Sequence, residues 1–264
     1  MCRLAAYLGK PLYLEELIAK PGHSLMRQSL RADQAKTVTN GDGFGIGWYG
    51  ERAEPGVYRE VMPAWSDDNL LALSQTLAAP LFFAHVRAAT AGGIARQNCH
   101  PFRPGRYLFM HNGQLGGYAL LRRELESRLP DDLYAARRGA TDSELLFLLA
   151  LARIEQGMPV ADAMTSVLDE TMALMRQRGV EQPLRFAAVL SDGQTLHAFR
   201  IASDCKPPTL YLRRCASGVI IASEPLCEEE PGWQMLPDGA VVSVDASGSR
   251  VHVHASAAAA AAFA

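Results

Sequence analysis

The 264-residue chain has no apolar run near the roughly 18 residues that a membrane-spanning helix needs. Its N-terminus also lacks a basic stretch followed by an apolar segment, so no secretory leader is expected. Charge of one sign is scarce too. There are 26 Lys and Arg against 28 Asp and Glu, a formal net charge of −2, and no basic block. Nucleic acid is therefore not an expected partner. The five cysteines, Cys2, Cys99, Cys205, Cys215 and Cys227, are odd in number and include no CxxC spacing. That pattern excludes a disulfide framework and a zinc knuckle, and reduced thiols in a cytoplasmic protein are expected. His252 and His254 share one strand face but lack an acidic or thiol partner at ligand spacing, so neither a metal nor a cofactor is expected. No Pro-, Ser- or Gly-rich linker divides the chain and no repeat is visible. The expectation is a single domain over residues 1–254, followed by an Ala-rich tail, 255–264, with no assigned function.

What is present belongs to an ordinary globule, 48% apolar and 20% charged. CRLAAYL reads as a first strand, PLYLEELI and HSLMRQSL as short helices, and GFGIGWYG and VYREVM as strands. NLLALSQTLA is helical and PLFFAHVRA is a buried strand, while RYLFMHNG is a strand ending at a turn. Two longer helices are expected from Asp142 to Gln156 and from Val160 to about Arg178. Six strand-like segments then alternate with DG, SG and PDG turns. Helices grouped between strands predict an α+β fold in which sheets pack between helices.

Several segments carry chemistry. GIGWYG fits a dinucleotide-binding pattern formally, yet a proline and a strand follow it where a phosphate-facing helix is required, so no nucleotide is expected. Cys2 is small enough for Met1 to be removed, which would put a thiol and a free α-amine on one residue. An α-amine with an ordinary pKa of about 7.7–8.0 is a usable base beside a thiol that is otherwise mostly protonated. Arg87 emerges where an apolar strand ends; it is either an ordinary ion-pair residue or a bidentate clamp for a carboxylate. His111, Asn112 and Gly113 form either a plain turn or an oxyanion hole built from the Asn112 amide and the Gly113 N–H. Thr141 and Glu144 make a capping box, with Asp142 in the first turn and able to accept hydrogen bonds from an ammonium group.

Together, MCRLAAYLG, NGDGFGIGWY, AHVRAAT, NCHPF, FMHNGQL and TDSE resemble, in order, the class II (N-terminal nucleophile) glutamine amidotransferases. IASEPLCEEEPGW resembles the stand-alone branch, which includes the ergothioneine-pathway γ-glutamyl hydrolase and the glutathione-degradation amidotransferase-like subunit. The resemblance implies a four-layer αββα sandwich of the N-terminal nucleophile hydrolase type. It also implies Cys2 as nucleophile, Asn112 and Gly113 as oxyanion hole, and Arg87, Thr90, Asp142 and His111 as substrate-binding residues. Arg87 is followed by Ala-Ala-Thr-Ala where synthase-linked members commonly have Trp-Ala-Thr-His, so the pocket rim differs.

The implied reaction is hydrolysis of the γ-glutamyl amide of glutamine or a γ-glutamyl compound through a Cys2 thioester. Two alternatives stand beside it: a glutaminase subunit serving a separate enzyme, and a glutamate-pocket binding module without turnover. A rival chemistry would use His85, His100 or His111 as base for a cysteine. The leaving group and the oligomeric state are left open.

Overall fold

A computed structural model describes residues 2–34, 38–89, 92–227 and 230–245, together with the backbone of 251–253. The Ala-rich segment 255–264 and His254 lie outside these residues. Among them, no helix is long and apolar enough to cross a membrane.

Two antiparallel sheets face each other. The larger is seven-stranded, in the order β10 (Trp233–Met235), β8 (Tyr211–Cys215), β9 (Gly218–Ala222), β1 (Arg3–Tyr13), β4 (Ala78–Val86), β2 (Phe44–Tyr49) and β3 (Gly56–Glu60). The smaller is five-stranded: β12 (Val251–Val253), β11 (Ala240–Val244), β7 (Leu196–Ala202), β6 (Leu184–Ser191) and β5 (Leu108–Leu115). Leu4, Ala6 and Leu8 of β1 and Phe83 of β4 pack against Leu108 and Met110 of β5 and Val189 of β6. These residues form the layer between the sheets.

The alternate residues of β1 and β4, among them Ala5, Tyr7, Phe82 and Val86, face outward. They pack onto α1 (Glu15–Ile18), α2 (Leu25–Leu30) and α3 (Asp68–Thr76) through Leu17, Ile18, Leu25 and Leu70. On the far side, Phe109, Phe186, Ala188 and Phe199 meet α4 (Tyr118–Glu126), α5 (Asp131–Ala136), α6 (Asp142–Glu155) and α7 (Val160–Gln177). The layers run αββα, as the resemblance implied. Both faces of the central strands are covered, which explains why LAAYL and LFFAHV read as continuous apolar runs rather than alternating ones. Helix α6 is buried from Asp142 through Ala152, whereas α7 buries one stripe, including Met164, Val167, Leu168, Leu174 and Met175.

Three local expectations are corrected. Pro11, Leu12 and Tyr13 continue β1, because pairing with β4 resumes at Leu12↔Ala79 after an irregularity. His111, Asn112 and Gly113 lie inside β5, paired with Ala188, Ala187 and Phe186, and not at a turn. Helices α4 and α5 occupy a stretch in which the sequence reading placed no helix.

Candidate active site

Cys2 directly precedes β1, and the register Arg3↔Val86 sets it beside the end of β4. Its Sγ donates to the Ala88 carbonyl at 3.6 Å. Burial pushes the thiol above its usual pKa, partly opposed by the guanidinium charges of Arg87 and Arg3. A thiol so placed needs a base at the moment of attack.

Arg87 is 3% exposed and follows β4. Its backbone is fixed from both directions: its N–H donates to Gly43 O at 2.8 Å, and Asp42 N–H donates to its carbonyl at 3.0 Å. The Asp42 carboxylate in turn accepts from Ala89 N–H at 2.8 Å. Thr90 and Met1 lie outside the described residues.

Across the sandwich, the His85 ring of β4 donates from Nε2 to the His111 carbonyl of β5 at 3.3 Å. That bond ties the strand that delivers Arg87 to the strand that carries the next residue, Asn112. Asn112 is fully buried, yet neither Nδ2 nor Oδ1 of its carboxamide finds a hydrogen-bond partner among the described residues. A buried amide left in this state costs about 1–3 kcal/mol per unsatisfied group, so it marks either strain or a place for a ligand. At Gly113, with φ +154°, a side chain is impossible: an added Cβ would sit 1.9 Å from the Arg185 carbonyl. Here glycine lets β5 approach β6 and the His111 ring closely.

Thr141 caps α6, accepting from Glu144 N–H at 3.2 Å. The reciprocal half of the expected capping box is absent, because the Glu144 carboxylate instead accepts from Arg138 N–H at 3.0 Å and Gly139 N–H at 2.6 Å. Asp142, 8% exposed, accepts from Leu115 N–H at 2.7 Å and from Ser143 N–H at 2.9 Å. The helix start is thereby pinned to the end of β5, two residues beyond Gly113. Ser143 Oγ lies 3.4 Å from the same carboxylate, and with about four acceptor positions on an ionised carboxylate these three contacts leave one for a cation.

His111 lies stacked on Phe186 at 4.5 Å, with its ring accepting from Ser143 Oγ at 2.8 Å and donating to Arg185 O at 3.4 Å. Its ring nitrogens are thus engaged within the fold. Burial lowers its pKa against the pull of the Asp142 carboxylate. Burial also pushes His85 down to about 3 and His100 well below the ordinary histidine range. Neither of those rings, nor that of His111, hydrogen-bonds the Cys2 sulfur, which weakens the cysteine–histidine alternative.

Sequence reasoning missed a second group of residues beside Cys2. Arg3, fully buried, pairs with Glu224 at 3.3 Å. Glu224 also holds His23 at 2.7 Å and the backbone N–H groups of Asp33 and Gln34, each at 3.0 Å. Burial works against ionisation of Glu224, but His23, the Gln34 N–H and Arg3 hold its pKa below the usual range. His23, Asp33 and Glu224 bring ligand-type atoms within 4.8 Å of one another. The Arg3 guanidinium already supplies positive charge there. Glu224 lies within IASEPLCEEEPGW and Arg3 directly follows Cys2, but neither stretch shows in sequence that the two side chains pair.

The layered fold and this cluster of polar residues at one end of it define a class of protein, and comparison with known proteins gives it a name. Residues 17–214 match the class-II glutamine amidotransferases, and the chain belongs to that family. The matched stretch begins after Cys2. A probable glutamine amidotransferase of Saccharomyces cerevisiae is 27% identical over 96% of this chain and 84% of its own length. A γ-glutamyl-hercynylcysteine sulfoxide hydrolase of Mycolicibacterium smegmatis is 29% identical over 92% of this chain and 96% of its own. Among solved structures, a glutamine aminotransferase class-II domain protein from Silicibacter pomeroyi superposes with a TM-score of 0.75. It is 35% identical and covers 97% of this chain and 100% of that one.

Proposed function

We propose that the protein hydrolyses the γ-glutamyl amide bond of a small molecule through a thioester on Cys2, with Met1 removed and the α-amine of Cys2 as base. The observation that carries this reading is the Asn112 carboxamide, fully buried with both polar atoms unpartnered and adjoining Gly113. In the proposed step the amine takes the thiol proton as sulfur attacks the γ-carbonyl carbon. The carbonyl oxygen becomes an oxyanion that receives hydrogen bonds from Asn112 Nδ2 and Gly113 N–H. The C–N bond breaks, the proton passes to the leaving amine, and water then cleaves the thioester to release glutamate.

Arg87 pairs with the substrate α-carboxylate and Asp142 with its α-ammonium, while Thr90 contributes backbone contacts to the same head group. His111 stands behind these residues, holding Ser143 at the start of α6. The named activity of the Mycolicibacterium relative, on a γ-glutamyl cysteine-derived sulfoxide, supports a γ-glutamyl compound of that kind as one member of the class. We place the protein in the cytoplasm, where its free thiols stay reduced.

Intact-mass analysis with a glutamine-derived diazo-ketone tests the reading. One adduct is expected, mapping to Cys2 and suppressed by excess glutamine, together with glutamate release from glutamine or γ-glutamyl peptides. Peptide mapping is essential because Cys205 is exposed. Labelling that glutamine does not suppress, or full turnover by protein with a blocked N-terminus, would overturn it.

A further inference from the structure

We infer that Asn98 is a positioning residue that braces the loop following Arg87 against the loop delivering Asp142, and so sets the spacing of the two groups that read the substrate's amino-acid head. This rests on the γ-glutamyl reading above and goes beyond it, since Asn98 touches neither the sulfur nor the reacting carbonyl in that scheme.

Asn98 ends a single 3-10 turn, Arg96–Asn98, and its side chain is 2% exposed. Nδ2 donates to the carbonyls of Gly92 and Gly93, the latter at 3.3 Å. Oδ1 accepts from Ala140 N–H at 3.0 Å. Gly92 and Gly93 belong to the loop that leaves β4 through Arg87. Ala140 directly precedes Thr141, the cap of α6, and Asp142 is the first residue of that helix. One planar amide thus supplies two donors to one loop and an acceptor to the other. Aspartate keeps the shape but lacks the donors, and an aliphatic side chain lacks both functions.

Glycine at 139 permits this close approach, because a Cβ there would lie 2.5 Å from Asn98 Oδ1. From the Asp142 side the same loop is held by Glu144, through the N–H groups of Arg138 and Gly139. Asp142 itself is anchored to β5 by Leu115. Arg87 itself is also held to Gly43 and Asp42, and Gly92 approaches Thr141 closely. Asn98, however, hydrogen-bonds residues 92 and 93 to the loop before α6, so loss of the amide loosens that join and lets the two sides of the recognition pair shift against each other. A misplacement of about 1 Å in such a pair weakens binding and orientation without changing the nucleophile itself.

The test compares Asn98→Asp with Gly139→Ala, which keeps Asn98 but displaces it. In both, KM for glutamine or a γ-glutamyl peptide is expected to rise about tenfold or more, with kcat within about threefold of the parent. Labelling of Cys2 by the glutamine-shaped diazo-ketone slows in parallel, while alkylation by iodoacetamide, which has no amino-acid head, keeps its rate. If Asn98→Asp does not fold, Gly139→Ala carries the same readout alone. An unchanged KM, or equal slowing of both reagents, would overturn the proposal. Failure of the γ-glutamyl reading shows itself separately, as unmodified protein whose Cys2 glutamine does not protect.

Discussion

Arg3 and Glu224 meet 3.3 Å apart with neither side chain more than 1% exposed, one residue from Cys2 and 221 residues apart in sequence. The neighbouring Ser223 reinforces the contact: its N–H donates to Leu4 O at 2.9 Å and its Oγ accepts from Leu4 N–H at 3.0 Å. The segment after β9 therefore grips the first residues of β1 by backbone and by charge. Replacing Glu224 with Gln leaves the buried guanidinium unpaired and weakens the hold on residues 33 and 34. We expect a loss of about 3–5 kcal/mol, measured by urea unfolding. The double replacement Arg3→Met/Glu224→Met should recover only part of it, because the Asp33 and Gln34 N–H groups lose their acceptor either way. Full recovery would show that the charge pair alone matters.

Asn112 should separate stability from activity. Its carboxamide is buried without a partner, so the free protein gains little from it. Asn112→Ala is expected to lower kcat about 10²–10³-fold with little change in KM, the usual consequence of losing one oxyanion donor. Chemical denaturation should show stability within about 1 kcal/mol of the parent, since relief of the unsatisfied amide offsets the small cavity. A large stability loss with activity retained would make Asn112 a structural residue.

Arg87→Lys tests recognition of the carboxylate. Lysine keeps the charge but not the planar fork, and a bidentate pair becomes a point contact. We expect kcat/KM for a γ-glutamyl substrate to fall roughly 30-fold or more, equivalent to about 2 kcal/mol, mainly through KM. Asp142→Asn should act the same way from the ammonium end; it also loses one of the two ties to Leu115 and Ser143, which bond to different carboxylate oxygens, so its stability is measured alongside. A substrate analogue lacking the α-amino group should be indifferent to Asp142→Asn, and equal loss on both substrates would argue against the assignment.

Sheets packed between helices were legible from the order of strands and grouped helices, the four-layer arrangement came with the family resemblance, and the stripe of α7 and the largely apolar α6 differ in a readable way. Asn112 was read at a turn, where asparagine and glycine are at home. Local propensity gave no warning that pairing with β6 carries β5 on to Leu115. Similarly, PLYLEELI looks helical throughout, yet its first residues are captured by β4, a partner more than 60 residues away. Amphipathic α4 and α5 went unread beside the Gly-Gly pair that precedes them. The motif order nominated Arg87, Asn112 and Asp142, but not what holds them. Asn98, Asp42 and Glu224 act through contacts that exist only once distant loops have met.

Acid stability is set by the buried histidines. His85 donates to the His111 carbonyl and packs tilted against His100 at 4.4 Å, and burial favours the neutral form of both rings, pushing His85 down to about 3. Unfolded, each would titrate near 6.5. Between those values the unfolded chain binds protons that the folded chain does not, so stability is fully present above about pH 6.5 and falls as pH drops toward 3. The slope should approach about 1.4 kcal/mol per pH unit for each histidine. Glu224, with a lowered pKa in the folded state, adds a further loss as pH falls below the ordinary carboxylate range of about 4.3, where the unfolded chain takes up a proton that the folded carboxylate does not. Urea unfolding at pH 7.5, 6.0 and 5.0 measures the slope, and His100→Gln should reduce it by close to one proton. A slope unchanged by that substitution would mean that His100 is protonated in the folded protein, and that its ring is exposed to solvent more than the stack between His85 and Phe102 allows.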